Sequence, residues 1–285
     1  MKTRNPEEVL LNSAGSHRRR GLTLMELVVV MGILVALATL IIPRITGIMG
    51  QAGIATNAAL LQGINEAEAR YEAQFNQLPS AGDGIVTSAG TLYVNLHPAL
   101  SANLDAQGTA LVPQSLTDMQ AKSLNDAGMA ALHFQDDSWA GAPSESGRDY
   151  VPLAAGVKCC FLTLPTSAVN ASNFDSVGGH NVLFSDRAFS IHPFTSDWNN
   201  NFIVVGFGNE STLKRNAVQD TPVFASAQPN KYYARGLCVY MIPASGVTAT
   251  TDTGYFAAKY VGCFAPDGTC LMDNVDNYSK SQTAN

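Results

Sequence analysis

His17-Arg18-Arg19-Arg20-Gly21-Leu22-Thr23-Leu24-Met25-Glu26, an apolar run from Leu27 to Ile42, and then Pro43: this stretch decides how the chain is read. A basic block ends at a small residue, Gly21, and a lone carboxylate, Glu26, stands five residues beyond it. Leu22 to Ile42 is 21 residues with one charge, against the roughly 20 apolar residues that a membrane-spanning helix needs. A carboxylate inside such a span costs about 2.5–3.5 kcal/mol at the bilayer centre and less near the edge, so it marks a function unless it reaches back to the headgroups. Lys2, Arg4 and Arg18 to Arg20 precede the run, and only Arg44 follows it closely. That asymmetry predicts a cytoplasmic N-terminus and an extracytoplasmic remainder.

An ordinary secretory signal has a shorter apolar core and a small-x-small cleavage site, whereas this run ends Leu40-Ile41-Ile42-Pro43. A twin-arginine signal fits poorly with Glu26 and the high hydrophobicity; a plain uncleaved anchor remains as a rival. The segment resembles the class III signal of type IV prepilins and type II secretion pseudopilins. There a polar basic leader ends in Gly, and the next residues run hydrophobic-Thr-Leu-hydrophobic-Glu ahead of a long apolar helix, often with a Pro. Gly21, Leu22, Thr23, Leu24, Met25, Glu26 and Pro43 stand in the matching places; Leu22 departs from the Phe most common after the cut. The strong match covers about 35 residues, and a weaker one reaches Pro79. The resemblance implies cleavage between Gly21 and Leu22 by a prepilin peptidase and N-methylation of Leu22. It implies an assembly role for Glu26 through pairing with the new terminal amine, and a helix kink at Pro43 that lets a filament subunit stretch.

The chain has 285 residues, 46% of them hydrophobic, enough to bury a sizeable core. Its net charge is −6; the leader holds five basic and two acidic residues, net +3, which leaves −9 on residues 22–285. An acidic surface repels phosphate backbones, so no nucleic-acid partner is expected. All five cysteines, Cys159, Cys160, Cys238, Cys263 and Cys270, follow the apolar run and would meet an oxidising compartment. Cys263 and Cys270 bracket a turn-rich loop and are the expected disulfide; Cys238 with Cys159 or Cys160 is the next candidate, and an odd count leaves one thiol over. A zinc site is disfavoured because the adjacent Cys159-Cys160 pair lacks ligand spacing.

After Pro43 the helical pattern resumes, weakened by Gly47, Gly50, Gly53 and Gly63, each costing about 1 kcal/mol relative to Ala. Leu60, Ile64, Ala67, Tyr71, Phe75 and Leu78 form one apolar face, with Glu66, Glu68, Arg70 and Glu72 mostly off it. Pro79 stops it. Thr117 and Gln120 make a capping-box pattern that opens a short helix, closed by Gly128. Residues 85–96 suggest β or extended structure, and strand-like runs follow at 151–164, 181–191, 202–207, 221–226, 236–242 and 255–264. The expected fold is therefore α+β: a long N-terminal helix, membrane-spanning in its first half, packed on a mostly antiparallel β-sheet domain. The expected organisation is a cleaved leader (1–21), a transmembrane and polymerisation helix (22–42), its amphipathic continuation (43–79) and an extracytoplasmic β-rich domain (80–285). Residues Gly178 to Asp186 also resemble a Gly-Gly-x-Asn-Val-x-Phe-x-Asp-Gly hairpin of one large bacterial prepilin-like family, with Arg187 and Ser176 departing from its pattern.

Nothing points to catalysis. The five histidines, His17, His97, His133, His180 and His192, show no His-Glu-x-x-His spacing, and no Gly-x-Ser-x-Gly elbow or phosphate-binding loop occurs. No cofactor is expected. The acidic turns at Asp83, Asp136-Asp137, Asp267, Asp273 and Asp276 read as solvated, with a structural calcium, implied by the likeness to major pseudopilins, as the sharper alternative; none matches an EF-hand loop. The resemblance thus implies a structural subunit, minor or specialised, of a type IV pilus or a type II secretion pseudopilus. Its partners would be itself or related pilins, the prepilin peptidase, an inner-membrane assembly platform and, before assembly, membrane lipid. The alternative is a membrane-tethered extracytoplasmic binding or enzymatic domain that does not polymerise.

Overall fold

The computed structural model describes residues 24–106, 110–146, 149–163 and 201–269, without the side chains of residues 40–51, 106 and 215. The chain divides into two units, Met1–Met49 and Gly50–Asn285. Helix α1, Leu24–Phe75, contributes residues to both, and Pro43 lies inside its bounds. In the first unit every described side chain from residue 24 to residue 39 is exposed.

This corrects the expected fold class in two respects. Among the described residues no helix is long and apolar enough to cross a membrane. Nor is any described side chain from Leu24 to Thr39 buried. Among the described residues, burial along α1 is seen at Asn57, Leu61, Ile64, Ala67, Glu68 and Tyr71. Leu61, Ile64, Glu68 and Tyr71 follow each other at intervals of three, four and three, which keeps them on one helical face. The expected stripe is rotated slightly from this: Leu60 is half-buried, and Phe75 is 40% exposed, with its ring 4.6 Å from that of Tyr71. The helix ends there because Asn76 takes a positive φ of 52°. Leu78, beyond the end, is buried and hydrogen-bonds through its amide to the Ala127 carbonyl.

The third correction concerns the sheet, which is mixed and has eight strands. They are β1 (Gly82–Thr87), β2 (Ala110–Ser115), β3 (Ala131–Gln135), β4 (Asp149–Pro152), β5 (Lys158–Thr163), β6 (Asn201–Gly206), β7 (Leu237–Ile242) and β8 (Lys259–Phe264). β6 and β7 lie innermost and pair along their whole length, from Asn201 opposite Ile242 to Gly206 opposite Leu237. Their runs, Asn-Phe-Ile-Val-Val-Gly and Leu-Cys-Val-Tyr-Met-Ile, are nearly continuously apolar, as strands covered on both faces require. β8 flanks β7. The other edge of β6 is shared: its first half pairs with β5, which carries β2, and its second half with β1, which carries β3 and β4. The sheet therefore forks.

β1 and β3 run parallel. A parallel pair needs a crossover, supplied here by α2 (Pro98–Ala106), β2 and α3 (Asp118–Asp126). α3 has the expected capping box: the Thr117 side chain accepts from the Gln120 amide, and the Gln120 side chain accepts from the Thr117 amide. Gly128 follows at φ +97°, where an added Cβ would meet Gln77 Cβ at 2.6 Å. Of the other strand expectations, 151–164 divides into β4 and β5. Residues 221–226 hold only an isolated bridge, Val223 to Arg235, and the start of a 3₁₀ turn, Ala225–Ala227. The run 181–191 and the hairpin-like motif at 178–187 lie outside the described residues. A four-residue helix, α4 (Leu213–Asn216), completes the order.

Candidate functional site

Of the residues singled out by sequence, Gly21, Leu22 and Cys270 lie outside the described residues. Glu26 stands in the first turn of α1, where a negative charge is favoured by the helix dipole. Around it are eleven large apolar side chains between Leu24 and Leu37, from 47% to 81% exposed. They occupy all sides of the helix, since consecutive positions such as Leu27, Val28, Val29, Val30 and Met31 are exposed together. A helix apolar all round is stable only inside a protein core, a bundle or lipid. Burying a residue of this kind gains about 1.5–3 kcal/mol when complete. Eleven of them at roughly half exposure thus leave a driving force on the order of 10 kcal/mol for covering this surface. In such a setting Glu26 is the one ionisable group among the described residues from 24 to 39.

A second chemical feature lies in the other unit, beneath the second half of α1. Glu68 is buried, and its Oε1 accepts a 2.7 Å hydrogen bond from the Tyr240 hydroxyl on β7. Its Oε2 has no hydrogen-bond partner among the described residues. Burial pushes the carboxyl up to about 8, opposed by the hydrogen bonds of Tyr240 and Cys238, with Glu72 adding a small upward push. The group is therefore a neutral acid at pH 7. The helix face and the sheet meet around it. The Tyr260 hydroxyl donates to Asn65 Oδ1 at 2.6 Å, and Cys263 Sγ lies 3.5 Å from both the Leu61 carbonyl and Asn65 Oδ1. Desolvation raises the hydroxyls of Tyr240 and Tyr260 well above their ordinary values, and does the same to Cys238 while it is a thiol. Close approach of α1 is allowed by Gly236, where a Cβ would collide with Ile64 Cδ1. Sequence reasoning placed Glu68 off the apolar face. The signal that it is on that face was its spacing of four from Ile64 and three from Tyr71.

Asp83 is a further correction, because it is a buried group and not a solvated turn. It accepts a 2.7 Å hydrogen bond from the buried Tyr233 hydroxyl, whose ionisation is suppressed by burial and by the Asp83 charge. Gly206 gives that hydroxyl room, since a Cβ there would strike Tyr233. Nearby in sequence, the buried Arg235 guanidinium donates to the carbonyls of Ser144 and Thr221 and to the Thr221 hydroxyl. Asp136 and Asp267 cap their own turns, accepting from Ser138 and Thr269 respectively. Asp273 and Asp276 lie outside the described residues. Among the described residues no three His, Cys, Asp or Glu side chains are grouped to hold a metal ion.

The cysteines are distributed differently from the sequence expectation. Cys159 and Cys160 are on β5 and Cys238 is on β7, with β6 between them. Two strand spacings amount to about 9.6 Å, beyond the roughly 7 Å limit for a disulfide. Burial raises the Cys159 thiol to about 12 and Cys160 further, as for inert core cysteines. Cys238 instead stands directly opposite Cys263 on β8.

No protein-family model, curated protein or solved structure matches the chain.

Proposed function

We propose that this chain is a structural subunit, minor or specialised, of a type IV pilus or a type II secretion pseudopilus, and not an enzyme. The observation that carries this reading is the helix stretch 24–37, apolar on all sides and exposed, with the single carboxylate Glu26 in its first turn. A surface of that kind is satisfied by lipid before assembly and by a bundle of like helices afterwards. The basic leader and Gly21 just ahead of it supply the processing signal. Cleavage after Gly21 and methylation of Leu22 leave a terminal amine four residues from Glu26. In the low dielectric of a helix bundle, that amine and the Glu26 carboxylate compensate one another, within a subunit or between neighbours. A misplaced subunit would leave one of the two charges buried and unpaired, and that penalty sets the axial register. The partners under this reading are related pilins or further copies of this chain, the prepilin peptidase, an inner-membrane platform and lipid. The place is the inner membrane, with the N-terminus cytoplasmic and the domain outside, and then the filament. With −9 on residues 22–285, nucleic acid is not among the partners.

The direct test is the mature N-terminus. Mass spectrometry of protein from a strain with active prepilin peptidase should find a chain beginning at N-methylated Leu22. An intact leader in that strain would overturn the reading.

A further inference from the structure

The β7–β8 ladder places Cys238 and Cys263 as direct partners, in register between Leu237–Phe264 and Val239–Gly262. Directly opposite residues of an antiparallel pair have Cα atoms about 4.5–5.5 Å apart, within the roughly 4.4–6.8 Å that a disulfide spans. Their side chains share one face of the sheet. Cys263 Sγ touches the Leu61 carbonyl and Asn65 of α1, and Cys238 lies close enough to Glu68, also on α1, to influence its ionisation. Both residues are buried there, and the structure carries them as thiols.

We propose that Cys238 and Cys263 close a cross-strand disulfide beneath α1, and that this pair, not Cys263 with Cys270, is the chain's disulfide. The oxidant is a disulfide, either a small molecule or a protein donor. One cysteine thiolate attacks the donor, forming a mixed disulfide and releasing one donor thiol. The second thiolate then displaces the other donor thiol. In sum, two cysteine thiols lose two electrons and two protons, and the donor disulfide becomes two thiols. The exchange belongs to folding, because it needs both thiolates accessible. β7 and β8 are joined by residues 243–258 and can pair before α1 seats; afterwards Leu61, Asn65 and Glu68 cover the sulfurs. Closure in the cell also rests on the extracytoplasmic placement proposed above, whereas closure in a redox buffer does not.

The test is a disulfide map of the full chain in detergent, refolded from the reduced state in a glutathione and glutathione-disulfide buffer. After alkylation under denaturing conditions, digestion must include a cut before Asp267, since no Lys or Arg separates Cys263 from Cys270. The expected product is a linked peptide pair carrying Cys238 and Cys263, lost on reduction and retained in Cys270→Ser. Linkage of Cys263 to Cys270, or full alkylation of Cys238 and Cys263 in the wild-type chain, would overturn the pairing. The same map on protein from the cell envelope separates the two ideas. A pair that closes in the buffer yet is fully reduced in the envelope leaves the pairing standing and refutes the extracytoplasmic placement.

Discussion

Glu26→Val is expected to be cleaved after Gly21 as efficiently as the wild type and to be missing from sheared filaments. Valine suits the apolar surface around position 26 better than glutamate does, so membrane retention should not fall. What is lost is the partner of the new terminal ammonium. Breaking one side of a buried ion pair costs about 3–5 kcal/mol, a factor of at least a hundred in incorporation. Replacing Gly21 by a bulky residue should also abolish incorporation, for another reason: the leader stays on, and the terminal amine proposed to pair with Glu26 is never made. Cleavage separates the two variants, being blocked only in the second. The measurement is an immunoblot of the sheared fraction against the membrane fraction, with the N-terminus of each determined. If Glu26→Val reaches the sheared fraction at wild-type levels, the carboxylate does not direct assembly. The membrane-tethered domain that does not polymerise then becomes the better account.

Legibility in the sequence followed how local the determining physics was. The α3 capping box was readable because Thr117 and Gln120 satisfy each other's backbone amides within four residues. β6 and β7 were readable because strands covered on both faces must be continuously apolar. β2 was not, since Pro113 interrupts it; proline is tolerated there because β2 pairs only with β5 and lies at an edge. β3, five residues carrying a histidine and a glutamine, gives no clear alternation, and its parallel partnership with β1 depends on a crossover that no local pattern announces. The buried acids were the largest miss. Glu68 and Asp83 were assigned to solvent from their charge, yet both are buried, and each accepts a hydrogen bond from a tyrosine hydroxyl distant in sequence, Tyr240 and Tyr233. The expectation of an assembly role for residues 22–42 rests on their likeness to prepilin signals, and the roles expected of Gly21 and Leu22 rest on that likeness alone.

Glu68 makes the stability of the domain depend on pH in a direction opposite to that of a salt-bridged carboxylate. In the unfolded chain it ionises near its ordinary 4.5, and in the folded chain near 8. Between those values the folded state holds a proton that the unfolded state has released, so stability falls as pH rises from about 4.5 to about 8 and is level in this respect above that. A difference of this size corresponds to roughly 5 kcal/mol as an upper figure. Glu68→Gln removes the titration while keeping a side-chain carbonyl for the Tyr240 hydroxyl. The expected result is a urea midpoint little changed near pH 4.5, clearly raised at pH 8, and flatter between. Glu68→Ala should behave differently, because it takes the 2.7 Å carboxyl acceptor from the buried Tyr240 hydroxyl, costing about 1–3 kcal/mol, and opens a cavity besides. It should therefore be destabilised even at pH 4.5, where the wild-type acid is neutral in the folded chain and only about half ionised in the unfolded one. A wild-type midpoint that does not fall between pH 5 and pH 8, or a Gln variant with the same slope, would mean that the carboxyl is hydrated or ionised under α1. The seat of the helix on the domain would then rest on its buried apolar side chains, Leu61, Ile64, Ala67 and Tyr71, with Glu68 a charge at their margin.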